Sequence, residues 1–90
     1  MATHIIKRHD HDEVFDEKKV YASVYAAARN AQLSEVESER IAEKVMAGTN
    51  EWIADKPEVP SANIFWKITE LITKENEQVA YQYHTHRDVS

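Results

Sequence analysis

The stretch FDEKKVYASVYAAARNAQLSEVESERIAEKV, Phe15 to Val45, decides the fold. Asp16 stands where a helix begins, because its short carboxylate can accept from the unpaired amides of a first turn. Phe15 before it and Val20 four residues into the helix have the spacing of a hydrophobic staple. Val20, Val24, Ala27, Ala28 and Ala31 then recur at the 3.6-residue period, and Tyr21 and Tyr25 widen the same apolar stripe. The spacing predicts a helix running to about Asn30. Ser34 opens the next one. SEVE has the capping-box form, in which the Ser34 hydroxyl and the Glu37 carboxylate each satisfy an orphan amide. Ile41, Val45, Trp52 and Ile53 keep one face of this second helix inward. Gly48 in its interior costs about 1 kcal/mol relative to alanine, which marks the position for close packing.

Working outward, DKPEVP (55–60) ends the second helix, and Ser61 after Pro60 can cap a third that carries Ile64, Ile68, Leu71 and Ile72 on one side. A fourth, shorter helix starts near Asn76 with Val79, Ala80 and Tyr83 facing in. With one glycine and two prolines in ninety residues, the chain has little else to break a helix. The first fifteen residues differ. THIIKR alternates and carries adjacent β-branched residues, and EVF after the polar HDHD can pair with it as a short hairpin. A lone two-stranded hairpin is marginal in water and needs a surface to pack on, which the helix ends provide. Glu58 to Pro60 is a candidate third strand. The expectation is a mainly α, single domain over 1–90: a four-helix bundle (16–88) capped by a small N-terminal β-hairpin lid (1–15).

Composition narrows the function classes. Without cysteine there is no disulfide framework, thiolate metal site or cysteine nucleophile. No apolar run approaches the ~20 residues that span a bilayer, and MATHIIKRHDHDE lacks the apolar centre of a secretory signal, so no membrane partner and a cytoplasmic location are expected. A net charge of −5 with dispersed acidic residues argues against direct nucleic-acid binding. Any anion site must be local.

One local concentration stands out. Lys7 and Arg8 precede the hairpin turn, and Lys18 and Lys19 occupy the second and third positions of the first helix. A helix start carries roughly half a positive charge and unpaired amides, so lysines there are disfavoured by some tenths of a kcal/mol. If the hairpin folds back over that end, Lys7 or Arg8 converges with Lys19 and the amides, a combination suited to phosphate groups. The plainer alternative is that Glu13, Asp16 and Glu17 neutralise these cations on a solvated surface.

The pattern I-x-K-R, a short turn, E-x-F-D and then K-[IV] in the first turn of an amphipathic helix resembles the ATP-cone. This is a small regulatory nucleotide-binding domain of ribonucleotide reductases and of their transcriptional repressor. VPSANIF is similar to the family's segment leading into its third helix, and VAYQYHTHRD to its closing A-x-x-Y-x-x-x-R helix, so the resemblance spans nearly the whole chain. It implies a freestanding copy that binds ATP or dATP, with Mg2+ carried on the phosphates, between the lid and the helix ends. Position by position, it implies Lys7, Arg8 and Lys19 on phosphates, Ile5 and Val20 in apolar contact with base or sugar, and Glu13 as a polar contact from the lid. Ser61 matches a hydroxyl position before the third helix, and Arg87 a basic position near the end of the fourth. The chain departs from the family at the turn, where K-R-D-G is KRHD here. Asp10 can still adopt the left-handed conformation that the glycine would take.

Other groups point less far. His9 and His11 are too few to close a metal site, and His84 and His86, two apart, lie about 200° from each other on a helix. The aromatics suit core or interface better than a base-stacking platform. Because Ile64, Phe65, Trp66 and Ile68 cannot all enter one small core, Trp66 is expected at the surface, where it suits a protein contact. No Gly-rich phosphate loop, nucleophile elbow or zinc-enzyme helix motif is present, so the chain does not read as an enzyme. Two functions follow. One is a sensor of ATP or dATP that controls its own homo-oligomerisation or a separate partner protein, possible partners including the machinery of deoxynucleotide metabolism. The other is a degenerate, ATP-cone-like helical interaction module that no longer binds nucleotide.

Overall fold

A computed structural model describes residues 3–6 and 12–86, apart from the side chains at 12, 13 and 86. Strands β1 (His4–Ile6) and β2 (Asp12–Val14) are followed by helices α1 (Glu17–Asn30) and α2 (Glu35–Ile53), strand β3 (Glu58–Pro60), and helices α3 (Ser61–Glu75) and α4 (Glu77–His86). The architecture is mainly helical, four helices with a small β lid at the N-terminal end.

Three of the helices start on a polar side chain that satisfies amides of the first turn. The Asp16 carboxylate accepts from the Lys18 amide at 2.9 Å, and the Ser34 hydroxyl accepts from the Glu37 amide at 3.2 Å. Asn76 Oδ1 accepts from the amides of Gln78 and Val79 at 2.9 and 3.1 Å. Two expectations are corrected. Ser61 is not a cap: β3 runs straight into α3, so the cap position falls on Pro60, which has no side-chain acceptor, and Ser61 becomes the first helical residue. Glu37 does not return to the Ser34 amide either. Its carboxylate turns to Arg40, three residues on, at 2.9 and 3.1 Å, because a bidentate guanidinium outcompetes a single neutral amide.

The α1–α2 turn closes without glycine. The Gln32 amide donates to Arg29 O and the Leu33 amide to Ala28 O, at 3.0 and 3.1 Å, the paired bonds of a Schellman motif. This requires Gln32 to take φ of 71°. The helices then enclose one core in which Val24, Ala28, Ile41, Val45, Ile72 and Val79 are at most 1% exposed. α2 and α3 approach closely at Gly48, where the side chain of Leu71 fills the space that a β-carbon would take.

The three strands form one sheet in the order β2-β1-β3. β1 pairs antiparallel with β2, Ile5 opposite Glu13, and parallel with β3, Ile5 opposite Val59. The third strand therefore lies where its β-branched valine, 2% exposed, can reach the core. Thr3 ties the sheet to the bundle. Its hydroxyl is placed to donate to the carbonyls of Ile53 and Lys56, at 3.3 and 3.0 Å, where α2 runs out of its own donors. The Phe15 amide returns to Thr3 O at 2.7 Å. Among the described residues no helix is long and apolar enough to cross a membrane.

Candidate functional site

The lid and the helix ends enclose a cleft of about 150 Å³. Four separate parts of the chain build it. Ile5 comes from the central strand, Phe15 and Asp16 from the entry to α1, Lys19, Val20 and Ser23 from the first turns of α1, Ile64 and Ile68 from α3, and Tyr83 from α4. The walls are mostly apolar because they are the ends of the same stripes that fill the core. The polar groups gather at the start of α1.

That start has an uncommon charge balance. Asp16 is committed to capping the Lys18 amide. Glu17 points away, its carboxylate accepting from the Asn50 side chain on α2. Among the described residues, neither Lys18 nor Lys19 forms an ion pair. Both lysines are exposed at the positive end of the helix dipole. Two of the three acids that could have neutralised the cluster are thus otherwise engaged. The side chain of the third, Glu13, lies outside the described atoms.

Of the residues singled out from the sequence, Ile5, Lys19 and Val20 come together in this cleft. Glu13 is placed by its backbone opposite Ile5 on β2. Ser61, half-buried at the start of α3, does not line the cleft. Lys7, Arg8 and Arg87 lie outside the described residues, as do His9, Asp10 and His11 of the turn. α4 extends to His86, so His84 and His86 both belong to a helix. Among the described residues no group of three His, Asp or Glu side chains stands close enough to hold a metal ion.

Reading the sequence missed Tyr83, Phe15, Ile64 and Ile68 as walls of the site. Each belongs to an apolar stripe, and a stripe gives no sign of where the core ends and a cleft begins. Tyr83 also continues into an aromatic stack. Its ring lies 5.5 Å from that of Phe65, nearly parallel at 17°. Phe65 in turn meets Trp66 edge-on at 5.9 Å and His84 at 5.4 Å. Trp66 is 63% exposed, as the crowding of apolar residues around it predicted. One side of the cleft is therefore joined by ring contacts to an indole at the surface.

No protein-family model matches the chain, and no curated protein does either.

Proposed function

We propose that the chain is a regulatory nucleotide-binding domain that takes ATP or dATP at the lid cleft and controls its own assembly or a partner protein by occupancy. The observation that carries this reading is the junction of an apolar cleft with the amino end of α1. Base-sized apolar space and lysine side chains that form no ion pair among the described residues occur side by side there. An apolar slot suits a purine face, and the helix start with Lys18 and Lys19 suits phosphates projecting from it. Lys7, Arg8, Glu13, Ser61 and Arg87 enter the proposal from the ATP-cone resemblance alone. A magnesium ion would be held chiefly by the phosphates and water. Nothing in the cleft suggests activation of a water or an acceptor hydroxyl. Occupancy would act by linkage, shifting a conformational or oligomeric equilibrium by the difference in affinity between its states.

The size of the cleft favours a second reading. At about 150 Å³ it is smaller than an ordinary ligand pocket, as a degenerate interaction module of the same ancestry would have it. Thermal unfolding with ATP, dATP or GTP separates the two. A ligand of the folded state at a hundredfold excess over Kd adds about 2.7 kcal/mol, a rise of many degrees for so small a chain. The sensor reading expects such a rise with adenine nucleotides, lost when Lys7 and Lys19 are both replaced by alanine. No rise at millimolar nucleotide leaves the interaction module, and a rise that survives the double substitution moves the site elsewhere.

A further inference from the structure

The opposite flank of α1 carries a feature with no part in the cleft. Tyr21 and Tyr25, one helical turn apart, stack with ring centroids 6.2 Å apart and planes within 12°. Both are half-buried and packed against the core. The Glu17–Asn50 hydrogen bond sets the register of α1 against α2 on this flank. From that bond the helical spacing carries Glu17, Tyr21 and Tyr25 along α1 toward the α1–α2 turn, and the spacing of α2 brings Glu43 and Glu39 back along the same flank. Electrostatics agree with this placement. The Tyr21 phenol is pushed above its ordinary range by burial first, and then by the negative charges of Glu39 and Glu43.

The cations of α2 do not serve these two glutamates. Arg40 binds Glu37 and Glu75, and Lys44 binds Glu75, on another side of the helix. The nearest basic residue on the tyrosine row, Arg29, donates to the Leu33 carbonyl at the turn. Glu39 and Glu43 are exposed and form no ion pair among the described residues. The face thus combines a packed aromatic platform with carboxylates one helical turn apart that no cation among the described residues pairs with. A guanidinium fits this chemistry better than an ammonium does, because it can lie flat on a phenol ring while its edge donates to a carboxylate.

We propose that the α1–α2 face formed by the stacked Tyr21 and Tyr25 rings and the Glu39 and Glu43 carboxylates docks an arginine-bearing segment of a partner protein. Charge complementarity selects the occupant. Apolar partners would strand both carboxylates, and acidic ones would be repelled. The site is separate from the lid cleft, so its failure leaves the nucleotide proposal untouched.

The test uses the full chain and three synthetic alanine-based helical peptides carrying arginine, lysine or glutamate at positions four apart. Binding is followed through the tyrosine ring resonances and by calorimetry. The arginine peptide is expected to shift the Tyr21 and Tyr25 ring signals and to bind several-fold more tightly than the lysine peptide. The glutamate peptide should not bind. Replacing Glu39 and Glu43 by glutamine should weaken the arginine peptide at least tenfold. The control pair Glu51→Gln and Glu77→Gln, which changes net charge equally, should alter affinity less than threefold. The proposal is overturned if the arginine peptide does not bind at millimolar concentration, or if the two double variants weaken it alike. It is also overturned if the tyrosine signals stay still while the peptide binds.

Discussion

Leu71 lies so close over Gly48 that a β-carbon built on the glycine would stand 3.1 Å from its Cδ1 and 3.3 Å from its Cδ2. The contact is with the tip of a half-buried side chain, and an open groove of about 320 Å³ lies alongside. Leu71 can therefore rotate away by a few tenths of an ångström. Gly48→Ala is expected to gain about 0.5 kcal/mol, most of the helix-propensity difference surviving the adjustment. Gly48→Leu overfills the same space and should cost more than about 1 kcal/mol. Urea unfolding of the two variants checks both signs.

Gln32 presents the converse case, a non-glycine residue held at φ of 71° by the turn between α1 and α2. A β-carbon disfavours this region by about 1 kcal/mol, and the side chain is exposed, so little is lost with it. Gln32→Gly should raise stability by about 0.5–1 kcal/mol. Gln32→Val should lower it, since a β-branched residue tolerates the conformation least.

The Arg40 guanidinium, by hydrogen bond first and charge second, holds the Glu37 carboxyl below its usual range. A carboxylate with a depressed pKa contributes stability above its unfolded pKa and loses it as pH falls through the folded one. Arg40→Leu should therefore lower the melting temperature at pH 7. The gap to the parent should narrow as the pH drops below about 4, where carboxylates begin to protonate. A gap of constant size down to pH 2 would mean that Arg40 acts through its methylenes.

Tyr21 shifts the other way. Its raised pKa means a contribution that is present below the ordinary tyrosine range and lost as pH climbs through the folded-state value. Glu39→Gln with Glu43→Gln should bring its ionisation down only part of the way, because burial is the larger cause. A spectrophotometric titration of the phenolates against a Tyr21→Phe background resolves the change.

Helix entry signals were the most legible part of the sequence. Asp16, Ser34 and Asn76 each announce a first turn with a short polar side chain, and all three perform that role. Glu58–Pro60 was legible only as a candidate third strand for a hairpin too small to stand alone, and it forms that strand. What stayed hidden depends on distant partners. Thr3 has no local pattern marking it as the acceptor-satisfying group for α2, and Gln32 lacks the glycine that usually signals a left-handed exit. Ser61 misled because the residue before it belongs to a strand rather than a loop. Lys19 could be read toward the cleft from its place in the first turn, whereas Val20, a staple and core residue by spacing, was directed there only by the family resemblance. Tyr83 could not, since a ring in a core stripe and a ring in a cleft wall share the same spacing.

The pairing of β1 with β3 sets an order of events during synthesis. The strand His4–Ile6 leaves the ribosome ahead of Glu58–Pro60 and has no parallel neighbour until that segment follows it out, and the stitch from Thr3 to Ile53 must wait as well. Both α1 and α2 are complete by then, so they can dock before the lid closes on them. A nascent chain arrested before α4 would own three of the helices and every strand of the lid but lack the Tyr83 wall of the cleft, so whatever the cleft recognises could be recognised in full only after the last helix has docked.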